Sequence, residues 1–348
     1  MRHQGLWRGR TWSPELPDAG GVHRARHSHH PRNSTHRRPS QRVRHRMRRA
    51  DLPHQRPLHS PRTLPGHGAS SRPVHGSPQG LGSALEDSQR PVHFHFGRPS
   101  MKKVVLVGAT RGMGRAVARI LAERGDSLFL LGRNAAELGK SAEDLSHRGP
   151  ANGAPVAHAP LDLEQPGSFA AALDAASAAL GGIDCVVLSA ALFAQQDALE
   201  EDAELARRLL EVNFTNTIVF CEEVRRRMLA SGGGTLCVFS SVAGDRGRKP
   251  VGIYGASKAG LSHYLESLDH KYREKGLVTI CIKPGFVKTG MTAGLKPPPF
   301  AGEPVPVARQ VVRAIDRGTP MVYAPGIWRL VMLVIQNLPR AVMRRVGF

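Results

Sequence analysis

The chain predicts an α/β fold, a doubly wound parallel sheet of seven strands with helices on both faces, in a single domain that begins near Met101. Three observations carry this. Val104-Val-Leu-Val107 is a short, fully apolar run, as expected of a central parallel strand. A glycine-rich turn, Gly108-Ala-Thr-Arg-Gly112-Met-Gly114, follows it and opens a helix, the layout that cradles a pyrophosphate. Further along, Tyr254-Gly-Ala-Ser-Lys258 sets a phenol and an amine four residues apart, on one helical face.

The elements follow in order. A helix runs through Ala116–Ala122, and Ser127–Leu131 is the second strand, ending at Gly132-Arg133-Asn134. The next helix opens at Ala135 and reaches about Ser146, and residues 155–160 form strand three. A helix over 168–180 and a strand over 183–188 complete the first half. Residues 201–230 read as one long helix with an apolar stripe through Leu205, Leu209, Val212 and Val219. Strands five and six are residues 234–240 and 278–283, a helix starts at Pro306, and residues 320–323 form strand seven.

The first hundred residues are different in kind. They hold 18 of the arginines, no lysine, 5 acids and 13 of the 17 histidines, so +13 of the formal charge of +21 sits there. With few aliphatics and no helical or strand period, this segment is expected to be disordered. Arginine without lysine reads as GC-rich DNA translated upstream of a natural start at Met101; a transit peptide is the other reading. Arginine clusters bind phosphate backbones in general, but nucleic acid is not an expected partner here. Cys185, Cys221, Cys237 and Cys281 each fall in an apolar run without metal-ligand spacing. They are expected to be buried free thiols, and no metal is expected. No apolar stretch reaches the ~18 residues of a spanning helix, and no secretory h-region is visible, so the expected location is cytoplasmic.

The spacing G-x-x-x-G-x-G, together with Tyr254, Lys258 and a serine thirteen residues before the tyrosine, resembles the short-chain dehydrogenase/reductase family over about residues 101–290. The resemblance implies a Rossmann-type sheet and hydride transfer between a nicotinamide cofactor and a carbonyl or secondary alcohol. It implies Asn213, Ser241, Tyr254 and Lys258 as the catalytic set. Tyr254 would exchange the proton, Ser241 would polarise the carbonyl, and Lys258 would hold the ribose and lower the phenol's pKa. Asn213 would join a water-linked relay; a buried amide satisfying a helix irregularity is the alternative. Ser240 is expected to satisfy backbone or cofactor groups.

Cofactor contacts are expected from Gly108, Thr110, Arg111, Gly112, Met113 and Gly114, and from Asp162-Leu163 beside the adenine. Ala190, Tyr254, Lys258 and the loop Pro284-Gly285-Phe-Val287-Lys-Thr289 complete the set. Where NAD binders place an acid after strand two, this chain has Gly132-Arg133-Asn134. Arg111 and Arg133 would suit a 2′-phosphate, so NADP(H) is expected before NAD(H). The family's Asn-Asn-Ala-Gly after strand four is replaced by Leu188-Ser-Ala-Ala191; its small residues keep close approach to the cofactor open, its usual polar bracing is not expected, and this reads as variation rather than loss of activity. A non-catalytic cofactor sensor or scaffold is the competing reading.

Residues 326–348 are expected to form an amphipathic basic-apolar helix: Ile327–Ile335 is densely apolar, with Trp328 at one end and Arg340, Arg344 and Arg345 beyond Pro339. It either covers the substrate end or a dimer face, or lies in a membrane interface. This tail loosely resembles those of reductases acting on lipid-linked substrates. A hydrophobic or lipid substrate, peripheral contact with the inner face of the membrane, and a homodimer or homotetramer are the expectations that follow.

Overall fold

The computed structural model describes residues 101–150 and 155–347; the expectations for residues 1–100 lie outside the described residues. The chain runs β1 (Lys103–Val107), α1 (Gly112–Arg124), β2 (Ser127–Gly132), α2 (Ala135–Arg148), β3 (Ala157–Pro160), α3 (Phe169–Leu180) and β4 (Cys185–Leu188). It continues through α4 (Gln196–Glu201), α5 (Ala203–Leu210), a π turn (Glu211–Thr215), α6 (Asn216–Ala230), β5 (Gly234–Phe239), α7 (Gly252–Tyr272) and β6 (Leu277–Pro284). It ends with α8 (Pro304–Arg317), β7 (Met321–Ala324), α9 (Trp328–Asn337) and α10 (Arg340–Arg345).

The seven strands form one sheet in the order β3-β2-β1-β4-β5-β6-β7, and every pairing is parallel. The central strands are apolar at most positions because alternate side chains enter different cores. Val104, Leu106, Leu128, Leu130, Val187 and Ile280 face α1, α2 and α8. Val105, Val107, Phe129, Leu131, Val186 and Leu236 face α3, α6 and α7. The strand order reverses between β1 and β4, and a crevice opens there beyond the carboxyl ends of the strands. The four cysteines are buried free thiols, and burial raises the pKa of each.

The single long helix expected over residues 201–230 is three segments. Asp202 interrupts it by accepting a hydrogen bond from Leu205 N at 3.0 Å, an N-cap that starts α5 afresh. The π turn then adds one residue to a helical turn. That extra residue turns the buried face: Leu209 and Val212 are buried, but the next inward positions are Thr217, Phe220, Val224 and Met228. Val219, expected on the apolar stripe, is 40% exposed as a result. The helix expected from Pro306 starts two residues earlier, at Pro304, again with proline in its first turn.

The C-terminal helix α9 packs onto the domain. Trp328, Met332 and Ile335 lie on its inner face and are buried with Val242 against Phe286 and Tyr323. The indole occupies the space above Gly285, where an added Cβ would come within 2.2 Å of it, and its Nε1 donates to Phe300 O at 3.1 Å. Gly285→Ala is therefore expected to destabilise the fold by about 1–3 kcal/mol, as overpacking does. Urea unfolding reads this, and Trp328→Leu in the same chain should recover part of the loss; unchanged stability of the single variant would contradict the packing described.

Candidate active site

The crevice at the switch point is a groove of about 720 Å³. One wall is the turn between β1 and α1, with Gly108, Thr110, Arg111, Gly112, Met113 and Gly114 all lining it. The turn needs its glycines. Gly108 has φ +90°, and an added Cβ there would lie 2.7 Å from Ala190 N; one on Gly114 would lie 2.4 Å from Gly108 O. Arg111, at the N-cap position of α1, is extended and makes no side-chain cap, so the helix presents its first N–H groups to the groove. A backbone cradle at an uncapped helix start fits a dinucleotide pyrophosphate.

Arg133 and Asn134 line the groove past the end of β2, with Asp162 and Leu163 past β3, and Ala190 past β4. Asn134 also caps α2, accepting from Glu137 N at 3.0 Å. Arg133 is exposed, and among the described residues its one ion pair is a loose one, to Glu164 at 3.8 Å. Of the Pro-Gly loop, Thr289 alone among the expected residues reaches the groove, joined there by Gly290 and Met291. Pro284 and Val287 are buried, and Gly285 lies beneath Trp328, so these three do not line the groove.

The residues expected to react lie at the start of α7 and on the turn after β5. Tyr254 and Lys258 are 9% and 2% exposed and lie on successive turns of α7. Lys258 Nζ donates to Phe239 O at 3.1 Å and stands 5.8 Å from the centroid of the Tyr254 ring. Ser241 caps the short turn Val242–Gly244, its Oγ accepting from Ala243 N at 3.1 Å. Ser240, as expected, is structural: its Oγ donates to Lys258 O at 2.9 Å and lies 2.7 Å from Ser262 Oγ.

The electrostatics differ from the expectation that Lys258 lowers the phenol's pKa. Burial dominates and pushes Tyr254 up to about 12, with the Ser241 hydroxyl opposing it. Burial also pulls Lys258 down to about 8, with Cys281 opposing. Each group is desolvated more strongly than its neighbour can compensate. The phenol is thus held as a proton donor at neutral pH.

Asn213 lies on the π turn, fully buried, and its amide is paired twice with the main chain of one residue. Its Oδ1 accepts from Leu192 N and its Nδ2 donates to Leu192 O, both at 2.7 Å. The side chain ties the π turn to the segment leaving β4, and the irregular helix is what lets it reach there. The bracing expected to be missing after β4 is present in another form. Ser189 Oγ lies 3.1 Å from Val107 O and 3.2 Å from Gly108 O, joining β4 to the glycine turn.

Phe193 is a residue that sequence reasoning missed. It lines the groove and packs edge-on against Tyr254, with ring centroids 5.2 Å apart at 85°. Asn213, Ser241, Tyr254 and Lys258 do not line the groove, and Phe193 and Leu192 stand where groove and phenol meet. Only its place just after strand four could have signalled it.

Known proteins match this arrangement. The family model for short chain dehydrogenase matches residues 102–299. The chain is 32% identical over 247 residues to an uncharacterized oxidoreductase of Mycobacterium tuberculosis, covering 70% of this chain and 96% of that protein. It is 31% identical over 195 residues to a 3-oxoacyl-(acyl-carrier-protein) reductase of Chlamydia muridarum, covering 56% and 77%. The solved structure of a short-chain type dehydrogenase/reductase from Mycobacterium ulcerans superposes with a TM-score of 0.59 at 25% identity, covering 64% of this chain and 88% of that one. With a parallel doubly wound sheet and a glycine cradle at its switch point, the chain belongs to the short-chain dehydrogenase family of nicotinamide-dependent oxidoreductases.

Proposed function

We propose that the protein is an NADP(H)-dependent carbonyl reductase, or alcohol dehydrogenase in reverse, acting on a hydrophobic substrate, with Tyr254, Ser241, Lys258 and Asn213 as its reacting set. The observation that carries the reading is the pairing of a buried phenol and a buried amine on successive turns of α7, beside Ser241 and next to the dinucleotide groove. When bound, the nicotinamide cofactor supplies or takes up the hydride. In reduction, Tyr254 gives its proton to the oxygen as the carbonyl becomes an alkoxide. Ser241 Oγ–H donates to the same oxygen and stabilises its growing charge. Lys258, with its lowered pKa, returns a proton to the phenolate, and Asn213 contributes through the main chain of the π turn, since its amide is engaged by Leu192. A cofactor sensor would have no use for such a proton path.

Arg111 and Arg133 line the same groove as Gly132, which at the end of β2 leaves no acid to meet a ribose hydroxyl, and this supports the 2′-phosphate. Leu192, Phe193 and Met291 at the groove support a hydrophobic substrate. The M. ulcerans and C. muridarum proteins are by name a dehydrogenase/reductase and a ketoacyl reductase, in keeping with carbonyl chemistry. A natural start at Met101, a domain over residues 101–325 with an appended segment over 326–348, and a cytoplasmic dimer or tetramer belong to the same reading. Among the described residues no helix is long and apolar enough to cross a membrane. Leu330, Leu333 and Val334 of α9 are 58–62% exposed, which supports peripheral contact with a membrane surface.

NADPH consumption with a panel of ketones tests the reaction. Tyr254→Phe is expected to lower kcat by about 10²–10⁴, the contribution of a general acid; full activity in this variant would refute the assignment. Arg133→Ala should raise the KM for NADPH by about tenfold or more, the worth of a charge-assisted hydrogen bond, and leave that for NADH nearly unchanged. Equal effects on both cofactors would remove the 2′-phosphate reading.

Lys258 makes a further prediction. Its pKa falls from 10.5 to about 8 on folding, so between these values the unfolded chain binds more protons and stability rises with pH. Against Lys258→Met, the wild type should therefore gain stability as pH climbs from about 8 to about 10.5. Parallel unfolding curves across that window would show that the amine is not buried as described.

A further inference from the structure

The loop that joins Ser241 to Tyr254 carries Arg246, Arg248 and Lys249 and folds against α10, about a hundred residues later in the chain. Arg246 Nη2 donates to Leu338 O at 3.1 Å, and Lys249 Nζ donates to Arg344 O at 2.7 Å. Between loop and helix lies a cavity of about 500 Å³, lined by Arg246, Arg248, Lys249, Arg340 and Arg344, with Gly247 and Met343. Five cationic side chains meet there, and among the described residues no acid lines it. Asp245, the acid next in sequence, is only 2% exposed and is already taken by Lys283 Nζ at 2.6 Å and Tyr323 Oη at 2.8 Å. Arg248 Nε is buried without a hydrogen-bond partner among the described residues. A buried guanidinium N–H left unpaired among like charges calls for an anion.

We propose that this cavity is a binding subsite for a phosphate or diphosphate group. Guanidinium forks match phosphate oxygens in pairs, and a bound dianion would relieve the repulsion among the five cations. The subsite is separate from the dinucleotide groove, whose lining shares no residue with it. A ligand held there would brace the loop that begins after Ser241 and ends before Tyr254. As a subsite for the substrate it rests on the oxidoreductase reading, and it then selects a carbonyl or alcohol compound carrying a phosphate; as an anion site it stands without that reading. The exposed Leu330, Leu333 and Val334 on neighbouring α9 would suit an apolar remainder of such a molecule.

The test is calorimetric titration of the full chain with inorganic pyrophosphate, with NADPH held at saturation to occupy the groove. Arg340→Gln/Arg344→Gln, both on the surface, and Arg248→Gln are compared with wild type, so arginines elsewhere contribute equally. The expected result is a single site weakened at least tenfold in each variant, with NADPH binding by fluorescence within twofold and the melting temperature held in the surface double variant. A second arm uses vesicles of phosphatidylglycerol and of phosphatidylcholine. Loss of both pyrophosphate and phosphatidylglycerol binding in the variants supports the subsite with a lipid-borne phosphate. Loss of pyrophosphate binding without any vesicle binding supports it with a soluble one. Unchanged pyrophosphate affinity in the surface double variant overturns the proposal, whether or not vesicle binding falls. NADPH binding is read separately, so failure of the cofactor reading and failure of the subsite are told apart.

Discussion

The site depends on a contact between two stretches of backbone. The turn after β5 and the first turns of α7 approach so closely that neither can carry a side chain at the point of contact. A Cβ on Gly244 would lie 2.6 Å from Ala259 N, and one on Gly255 would lie 2.7 Å from Ala243 O. Ser240 and Ser262 hydroxyls both donate to Lys258 O, at 2.9 Å each. Packed in this way, Tyr254 and Lys258 are largely withdrawn from solvent, at 9% and 2% exposed, and Ser241 lies on the turn packed against them. The proton states of the pair follow from that burial more than from their mutual charge.

The rest of the architecture brings a second cradle to meet this one. The parallel sheet ends its strands along one edge, and the reversal of order between β1 and β4 opens the groove there. Ser189 and Asn213 hold the segment leaving β4, one to the glycine turn and one to the π turn. That segment carries Phe193, which touches both the groove and Tyr254. The glycine-lined groove and the Tyr254 phenol thus meet at residues 189–193 and not at the motif residues themselves.

Much of this was legible in the sequence, where local rules govern. The glycine turn, the apolar strands and the Tyr254–Lys258 spacing each follow from short-range geometry, and the structure places them as expected. Ser241, thirteen residues before Tyr254, matches the family's serine where Ser240 does not, and the two hydroxyls have different surroundings. What escaped depends on distant partners. The π turn goes with the bond from Asn213 to Leu192, twenty-one residues back, and no helical periodicity encodes that. Gly285 reads as a loop glycine beside a cofactor but answers to Trp328. The basic cavity joins residues 246–249 to 340–344, two unremarkable arginine clusters until the fold brings them together. The raised phenol pKa is a property of burial, which spacing alone does not reveal.

The claim that burial sets the phenol's proton state is tested most directly by ultraviolet difference titration of tyrosinate, wild type minus Tyr254→Phe. The account predicts that the signal assigned to Tyr254 is absent through pH 10 and emerges only towards about pH 12. Ionisation of that phenol near pH 8 in the cofactor-free protein would contradict it, and would return control of the proton to the neighbouring ammonium.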